Sequence, residues 1–325
     1  MRRLVCKEFG SRDGLLVETA PDPTVGAGQV LVRVAAANVA FVDRLIVGGT
    51  YQIKPEPPFT PGVVAAGEVV ETGEGVDLLP GTRVVVLKAD YGAWASHVVV
   101  PSWAVAPIPA DVPYELAAAT IEAYGTASYA LEERGHLVAG EKALILGAGG
   151  AVGTAAVETA LHLGAEVVAH SSGVPAWEDQ PELRPHHVID RWQDEDLRSV
   201  MRKLYPKGVD LAMDPVGAHL TEPALRSLAP RGRLLVVGFA GGSIASLPTN
   251  LVLLNNRNVL GVDWAAWIRA NPERLAPLLE VVLSRLSRGV IHPPQPTLVA
   301  LDDLPQVLTE PAPASGLVRT VVVPG

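Results

Sequence analysis

One stretch decides the fold: Leu144-Ile145-Leu146-Gly147-Ala148-Gly149-Gly150-Ala151-Val152-Gly153, in which an apolar segment leads into a cluster of glycines. Apolar or small residues then recur at helical spacing, at Val152, Ala155, Ala156, Thr159, Ala160 and Leu163. Glycines let the turn tighten and let backbone N–H groups approach a phosphate, and a helix that begins there adds partial positive charge. This strand–turn–helix pattern predicts the pyrophosphate site of a dinucleotide. The alternative is a tight turn in an α/β domain that binds another ligand.

Five further apolar segments follow the turn and alternate with helical patterns. They are residues 165–169, 187–189, 209–213, 233–237 and 259–262, with helices predicted around 195–204 and 219–228. Strands that alternate with crossover helices form a parallel sheet covered on both faces. Six strands over this length predict an α/β domain with a doubly wound parallel sheet of the Rossmann type.

The end of the second predicted strand bears on which dinucleotide binds. A domain that binds NAD usually has Asp or Glu there, about 20 residues after the first glycine, to bind the ribose 2′-hydroxyl. Here the residues are His170-Ser171-Ser172-Gly173, and serine hydroxyls can donate to a 2′-phosphate that a carboxylate would repel. The pattern favours NADP(H), with NADH as the alternative. Arg191, after the third strand, is either the cation for that phosphate or a solvated surface charge.

Composition argues against several classes of protein. The chain has 325 residues, which predicts two domains, and a net charge of −9 with no basic run, which argues against nucleic-acid or anionic-membrane partners. Cys6 is the single cysteine, so neither an internal disulfide nor a cysteine-rich metal site is expected. No apolar stretch is long enough to span a bilayer, and the first residues lack a signal core. A cytoplasmic protein is expected.

The residues before the glycine turn have a different character. Short apolar segments at 30–34, 63–71, 83–87 and 97–100 are separated by Gly and Pro, which is typical of a compact β-barrel-like domain. The proline-rich stretch 55–62 predicts an ordered loop. Near the end of the chain, a helical apolar stripe spans 272–288 and a strand is predicted at 319–323.

Seven short motifs follow one another along nearly the whole chain. They are Ala37-Asn38 with Asp43, Gly49-Thr50-Tyr51, Pro58-Phe59-Thr60-Pro61-Gly62, Gly81-Thr82-Arg83-Val84, Tyr124-Gly125-Thr126-Ala127, Asp214-Pro215-Val216-Gly217 and Gly232-Arg233-Leu234-Leu235-Val236-Val237-Gly238. In this order they resemble the medium-chain dehydrogenase/reductase superfamily, and specifically its zinc-free quinone oxidoreductase (zeta-crystallin-like) branch. The chain departs from that pattern in its permuted glycine run and in lacking a basic residue shortly after the second strand.

The resemblance implies the domain organisation and the activity. It implies a GroES-like, β-rich catalytic domain at 1–121, completed by 265–325, and a Rossmann NADP(H)-binding domain at 122–264, with the cofactor in the cleft between them. It also implies NADPH-dependent reduction of quinones or related electron-poor carbonyl compounds. A homodimer formed through the last sheet strand, near 259–264, is implied as well, and an exposed sheet edge favours such pairing.

The positions that hold zinc in the metal-dependent relatives carry other residues here. Pro61-Gly62-Val63-Val64-Ala65 occupies the region of a Gly-His-Glu ligand motif, and Asn38-Val39-Ala40 stands where a ligand cysteine is expected. The scattered histidines and single cysteine give no three-ligand set with sensible spacing, so no metal is expected. Without a Lewis acid, a quinone or conjugated enone is a better acceptor than a simple ketone, because delocalisation spreads the charge of the incoming hydride.

The match to the family also suggests which side chains act on the substrate. It implies that Asn38 and Thr126 lie near the nicotinamide and that Tyr51 donates to the substrate or stacks on it. The alternatives are a turn-forming Asn, a helix-capping Thr and a packed Tyr. The proton donor is left open between water and Tyr51.

The remaining candidate residues bind the cofactor. Backbone amides of Gly150, Ala151 and Val152 are expected at the phosphates, within the turn bounded by Gly147 and Gly153. Gly238 and Phe239 follow the fifth strand at the carboxyl edge of the sheet, where ligands bind, and are expected beside the nicotinamide.

Three functions are compatible with these residues. The favoured one is an NADPH:quinone reductase. The second is an enone or alkenal double-bond reductase. The third is a non-catalytic nucleotide-binding or structural protein, as some zeta-crystallin relatives are.

Overall fold

The structure is a computed structural model of the 325-residue chain and describes residues 1–171, 183–190, 196–310 and 318–325. These residues divide into two compact units. The first contains residues 1–122 together with the described parts of 268–325, and the second contains the described parts of 123–267. The units therefore divide after Glu122 and after Trp267.

Strands and helices are numbered in chain order. The strands are β1 (Arg2–Cys6), β2 (Leu15–Thr19), β3 (Gln29–Val39), β4 (Val64–Thr72), β5 (Arg83–Leu87), β6 (His97–Pro101), β7 (Val105–Pro107), β8 (Lys142–Leu146), β9 (Glu166–Ser171), β10 (His187–Asp190), β11 (Val209–Asp214), β12 (Leu228–Val236), β13 (Asn258–Gly261), β14 (Thr297–Ala300) and β15 (Thr320–Val323). The α-helices are α1 (Phe41–Val47), α2 (Tyr114–Ser128), α3 (Ala151–His162), α4 (Leu197–Leu204), α5 (Thr221–Arg226), α6 (Asn250–Leu253), α7 (Trp264–Ala270), α8 (Leu275–Ser287) and α9 (Leu304–Thr309). A π-helical turn, Tyr129–Arg134, continues α2, and short 3-10 turns lie at Ser102–Ala104, Ala218–Leu220, Leu254–Asn256, Pro272–Arg274 and Leu301–Asp303.

The first unit is built on a seven-stranded sheet. Its strands lie in the order β14-β15-β3-β4-β5-β7, and β6 also pairs with β3. The long strand β3 is rich in Val and Ala, and its backbone pairs with β15 from the far end of the chain as well as with β4. Residues from both ends of the chain therefore complete one sheet. A separate antiparallel pair, β1 and β2, was not predicted from the sequence.

The second unit is built on a six-stranded parallel sheet in the order β10-β9-β8-β11-β12-β13. Numbered within this sheet, the order is 3-2-1-4-5-6, which is that of the doubly wound dinucleotide-binding fold. The central strands are buried on both faces, as fully buried Leu144, Ile145 and Leu234 illustrate, because helices cover both sides. The predicted fold class is confirmed. The fifth strand begins at Leu228, earlier than predicted, because an irregular pairing with β11 precedes its apolar run.

None of the helices in the described ranges is both long enough and apolar enough to cross a membrane.

Candidate active site

The glycine-rich turn connects β8 to α3 at the carboxyl edge of the parallel sheet. Gly147 has a φ of 60°, which L side chains rarely adopt, and its carbonyl oxygen accepts a hydrogen bond from the Gly150 N–H at 2.9 Å. Gly150 is the N-cap of α3, and its carbonyl oxygen accepts from the Thr154 N–H at 2.9 Å. The Thr154 N–H thus donates to the N-cap residue, and the amino end of α3 lies at residues 151–153, where helices commonly bind anions.

Close packing fixes the shape of this turn. A Cβ atom on Gly153 would overlap the carbonyl oxygen of Gly147. The Thr154 hydroxyl donates to the carbonyl oxygen of Ala148 at 2.9 Å, which ties the first turn of α3 back to the loop. The turn is therefore tight and keeps the start of α3 close to the end of β8.

The second strand of this sheet ends beside the glycine turn. Ser171, the last residue of β9, is buried, and its Oγ lies 2.7 Å from the position that a Cβ on Gly149 would take. The register pairs Ser171 with Asp190, the last residue of β10, so a carboxylate-bearing residue ends the neighbouring strand. Two predicted cofactor residues, Ser172 and Arg191, lie outside the described residues.

Asp214, at the end of β11, organises the loop that follows it. Its Oδ1 accepts hydrogen bonds from the N–H groups of Val216 at 2.9 Å and Gly217 at 2.8 Å, and its Oδ2 accepts from the Thr221 hydroxyl at 2.7 Å. The side chain is 1% exposed. Three donors to one buried carboxylate hold the loop between β11 and α5 in a single arrangement.

The loops after β11 and β12 are tied to each other at the same edge. The N–H of Gly241 donates to the carbonyl oxygen of Val216 at 2.7 Å, and a Cβ on Gly217 would lie 2.9 Å from Cδ1 of Phe239. A Cβ on Gly147 would in turn lie 2.8 Å from a methyl group of Val216. The structure therefore brings Phe239 and the glycine turn to one edge of the sheet of the second unit.

Thr126, also in the second unit, is partly buried and lies inside α2 rather than at its start. It is therefore not a helix N-cap, which removes one of the alternatives for this residue. The adjacent Gly125 packs so closely on Trp264 that a Cβ there would overlap the indole ring. The Tyr124 hydroxyl donates to Glu158 at 2.9 Å and ties this part of α2 to α3.

Asn38 is a buried residue of β3 in the first unit. Its Nδ2 donates to Oε2 of Glu122 at 2.9 Å, and its backbone oxygen accepts from Nε1 of Trp94 at 2.8 Å. In the register, Asn38 is paired with Val321 of β15. Asn38 is therefore not in a turn, and the alternative of a turn-forming Asn is wrong.

Tyr51 follows α1 in the first unit and is partly buried. Its backbone N–H donates to the carbonyl oxygen of Leu45 at 3.1 Å. Tyr51 and Asp43 both lie near Tyr91: burial raises the pKa of the Tyr91 hydroxyl, and the charges of Tyr51 and Asp43 raise it further. Two of the predicted or motif-bearing residues, Tyr51 and Asp43, thus share one neighbourhood.

A pair of carboxyl groups accompanies Asn38 and was not predicted as part of the site. Burial raises the pKa of Glu122 to about 7, against the opposing effects of Arg319 and of the hydrogen bond from Asn38. Burial, and then the charge of Glu122, raise the pKa of Asp43 well above its usual value. Asp43 is 2% exposed; its Oδ2 accepts from the Ala40 N–H at 2.8 Å, whereas its Oδ1 has no hydrogen-bond partner among the described residues.

The sequence motifs did not predict that Asp43 and Glu122 form a pair. Asp43 belongs to one of the family motifs, but a single Glu in a helix carries no sign that it will be buried. Arg319 reaches the pair only because β15 joins the sheet beside β3. In the part of the chain that the structure describes, no group of three His, Cys, Asp or Glu side chains is arranged to hold a metal ion.

Comparison with known proteins relates both units to one family. Residues 26–110 match the model of the alcohol dehydrogenase GroES-like domain, and residues 151–283 match the model of the zinc-binding dehydrogenase. The chain is 33% identical over 293 residues to quinone oxidoreductase-like protein 2 of Mus musculus, which covers 90% of this chain and 83% of that protein. The chain belongs to the medium-chain dehydrogenase/reductase superfamily. Within it, the chain falls in the zinc-free quinone oxidoreductase branch, as the motifs predicted.

Solved structures of this superfamily share the fold over the whole chain. A 2-haloacrylate reductase is 25% identical with a TM-score of 0.87, and the match covers 100% of this chain and 99% of that one. The quinone oxidoreductase of Escherichia coli, solved in complex with NADPH, is 22% identical with a TM-score of 0.86 and full coverage of both chains. The GroES-like and Rossmann-like organisation of the superfamily is thus that of this oxidoreductase.

Proposed function

We propose that this medium-chain oxidoreductase uses NADPH to reduce quinones or similar electron-poor conjugated carbonyl compounds without zinc. The observation that carries the proposal is the tight turn from Gly147 to Gly153, which opens a helix at the carboxyl edge of a sheet with dinucleotide-binding strand order. Membership of the quinone oxidoreductase branch supports the choice of acceptor.

The residues of the turn fit the diphosphate of a nicotinamide dinucleotide. The N–H of Gly150 donates within the turn to Gly147, so the predicted phosphate contact of that amide is not supported. Main-chain N–H groups of Ala151 and Val152 would hold the diphosphate, aided by the partial positive charge at the start of α3. Gly150 has no side chain to intrude on the phosphates, and an anion there needs no cationic side chain. We infer that Gly238 and Phe239, in the loop after β12, lie beside the nicotinamide. When bound, the reduced nicotinamide supplies a hydride.

The choice between NADPH and NADH depends on the end of β9. Ser171 in place of a carboxylate supports NADPH, since a hydroxyl can donate to a 2′-phosphate. Asp190, paired with Ser171 at the end of β10, supports NADH as the second candidate, because a nearby carboxylate repels a phosphate. The structurally similar quinone oxidoreductase of E. coli was solved with NADPH, which favours the phosphorylated coenzyme.

The substrate contacts are proposed for three side chains. Asn38 uses one of its two amide N–H bonds toward Glu122, and we propose that the other donates to an acceptor oxygen. Tyr51 contributes a second donor or a ring to stack on, and Thr126 contacts the nicotinamide. Donors fixed by the surrounding fold stabilise the negative charge that develops on the acceptor oxygen. Positioning of the reactants supplies much of the remaining rate acceleration.

A homodimer is proposed to form through β13, which is the edge strand of the parallel sheet. An edge strand offers unpaired backbone groups to a second copy, and Val259 on this strand is exposed. Sedimentation velocity would reveal a species of twice the chain mass, and a monomer at all concentrations would contradict the proposal.

A second candidate function is reduction of an activated carbon–carbon double bond in an enone or alkenal. It is favoured by the likeness to the 2-haloacrylate reductase, whose name describes an acceptor of this kind. Both functions use the same coenzyme site. They differ in which bond of the acceptor is reduced.

Coenzyme binding is tested first, and turnover of an acceptor is tested second. Fluorescence titration of the protein with NADPH and with NADH should give saturable binding, tighter for NADPH. An anaerobic panel of quinones, enones and alkenals should then identify an acceptor that oxidises the coenzyme, and product analysis separates the two reductase functions. Binding without turnover on any electron-poor acceptor would favour a non-catalytic protein, and absence of binding would overturn the proposal.

A further inference from the structure

Asp43 and Glu122 form a carboxyl pair in the first unit, and the pKa of each is raised. Asp43 and Glu122 interact strongly enough to raise the pKa of Asp43, and they come from different elements, α1 and α2. Neither carboxyl takes part in an ion pair closer than 4 Å within the described ranges. Two carboxyl groups so placed do not both ionise readily at neutral pH.

The two carboxyl groups differ in how they hold their protons. Asp43 is almost fully buried, and one of its oxygens has no hydrogen-bond partner, so its charged form is strongly disfavoured. Glu122 is partly exposed and accepts a hydrogen bond from Asn38, and Arg319 favours its charged form. At neutral pH we therefore expect Glu122 to be the carboxyl that exchanges its proton and Asp43 to stay neutral.

The groups that surround the pair come from several elements. Asn38 lies on β3, and Arg319 lies immediately before β15. Tyr91, whose pKa burial raises, is close enough to Asp43 to interact with its charge, and Arg269 and Tyr51 act on the same Tyr91. Arg319 is the cation that opposes the burial of Glu122, and its effect is smaller than that of burial.

We propose that Glu122 is the proton donor of the reduction and that the hydrogen bond from Asn38 orients it. The carboxyl of Asp43 is neutral and therefore adds no second negative charge beside Glu122. The proposal rests on the reductase function above and names a donor other than water or Tyr51. A general acid is most effective when its pKa lies near the working pH. Burial gives Glu122 that property.

The proton step balances with the hydride step. With the reduced coenzyme bound, the acceptor would gain a hydride with its electron pair, and the π electrons of the conjugated system would move onto the acceptor oxygen. The O–H bond of Glu122 breaks, its electron pair stays on the carboxylate, and the proton forms a new bond to the reduced acceptor. Solvent then returns a proton to the partly exposed Glu122.

An infrared titration of the protein alone tests where the proton resides. The C=O stretch of a protonated carboxyl should disappear with a midpoint near the pKa of Glu122, about 7, in the unmodified protein. This titrating band should be missing from Glu122→Gln, in which only the non-titrating band of neutral Asp43 remains. It should be present in Glu115→Gln, which removes a carboxyl from the same helix that has no part in the pair. A Glu122 that is ionised throughout the neutral range would overturn the proposal without any assay of activity.

Kinetics with the acceptor tests the transfer itself. In the unmodified enzyme, turnover should fall as pH rises through about 7, because the protonated form is the active one. Glu122→Gln should lower turnover by about 100-fold or more and remove that pH dependence, with unchanged NADPH affinity. Tyr51→Phe should keep the pH dependence, which separates Glu122 from Tyr51 as the donor.

The outcomes distinguish the two proposals. If the unmodified enzyme reduces an acceptor and Glu122→Gln matches it in rate and pH dependence, donation by Glu122 is wrong and the reductase function stands. If the unmodified enzyme binds coenzyme but reduces no acceptor, the reductase function fails and the donation step fails with it.

Discussion

Gly153 sits directly against Gly147: a Cβ atom on Gly153 would overlap the carbonyl oxygen of Gly147. The neighbour is backbone in a tight turn, so it cannot rotate away as a flexible side chain would. This contact sets the distance between the end of β8 and the start of α3. The position of the helix amino end, and hence of the proposed phosphate site, depends on it.

We therefore expect Gly153→Ala to destabilise the protein by about 1–3 kcal/mol, because the added methyl group forces the backbone of the turn apart. Urea denaturation would measure this loss. Gly261→Ala is the matched control in the same unit, since a Cβ there meets nothing within 4 Å. The control should change the free energy of unfolding by no more than about 0.5 kcal/mol. Equal effects of the two substitutions would contradict the close contact.

The hydrogen bonds to Asp214 in the loop after β11 can be removed one at a time or all together. Thr221→Val removes one of the three hydrogen bonds to Asp214 and should cost about 1 kcal/mol, whereas Asp214→Ala removes all three. Because a buried N–H of Gly217 and a partly buried N–H of Val216 then lose their acceptor, we expect Asp214→Ala to cost about 3 kcal/mol or more. Thermal denaturation of both variants would measure the difference. If Asp214→Ala were no worse than Thr221→Val, the carboxylate would not be the organising group.

The carboxyl pair predicts an unusual dependence of stability on pH. The pKa of Glu122 is raised from 4.5 to about 7 in the folded protein, so between these values the folded state binds more protons than the unfolded state. The contribution of Glu122 to stability is therefore present at low pH and is lost as pH rises through about 7. The Glu122→Gln variant should not show this loss of stability, which amounts to up to about 3 kcal/mol in the free energy of unfolding.

Denaturation of both proteins at a series of pH values measures this effect. The free energy of unfolding of Glu122→Gln, relative to that of the unmodified protein, should rise from acid to neutral pH and level off above it. Curves that run parallel through this range would show that Glu122 titrates normally.

The parallel sheet could be predicted from the sequence, and the carboxyl pair could not. Parallel strands are buried on both faces, so β8, β9 and β11 stand out as continuous apolar runs. The glycine turn is equally visible because its special conformations need glycine. The Asn38–Glu122 hydrogen bond, in contrast, joins residues 84 positions apart, and Arg319, whose charge acts on Glu122, comes from the far end of the chain.

Local patterns also misjudged the setting of single residues. Asn38 can form a turn by its intrinsic preference, yet the pairing of β3 with β15 holds it in a strand. Thr126 can cap a helix, yet α2 begins at Tyr114 and continues through it. Intrinsic propensity describes the conformation that a residue favours in isolation. At Asn38 and at Thr126, the strand or helix that contains the residue determines its conformation instead.

The central claim is that main-chain amides at the start of α3 hold the diphosphate of NADPH. The most direct measurement is a fluorescence titration of NADPH into the unmodified protein, Ala151→Asp and its uncharged counterpart Ala151→Asn. We expect Ala151→Asp to abolish measurable binding through charge repulsion and crowding, while its thermal stability is preserved because a carboxylate is favourable at a helix N-terminus. Ala151→Asn should retain part of the affinity. NADPH binding to Ala151→Asp with the affinity of the unmodified protein would contradict the account.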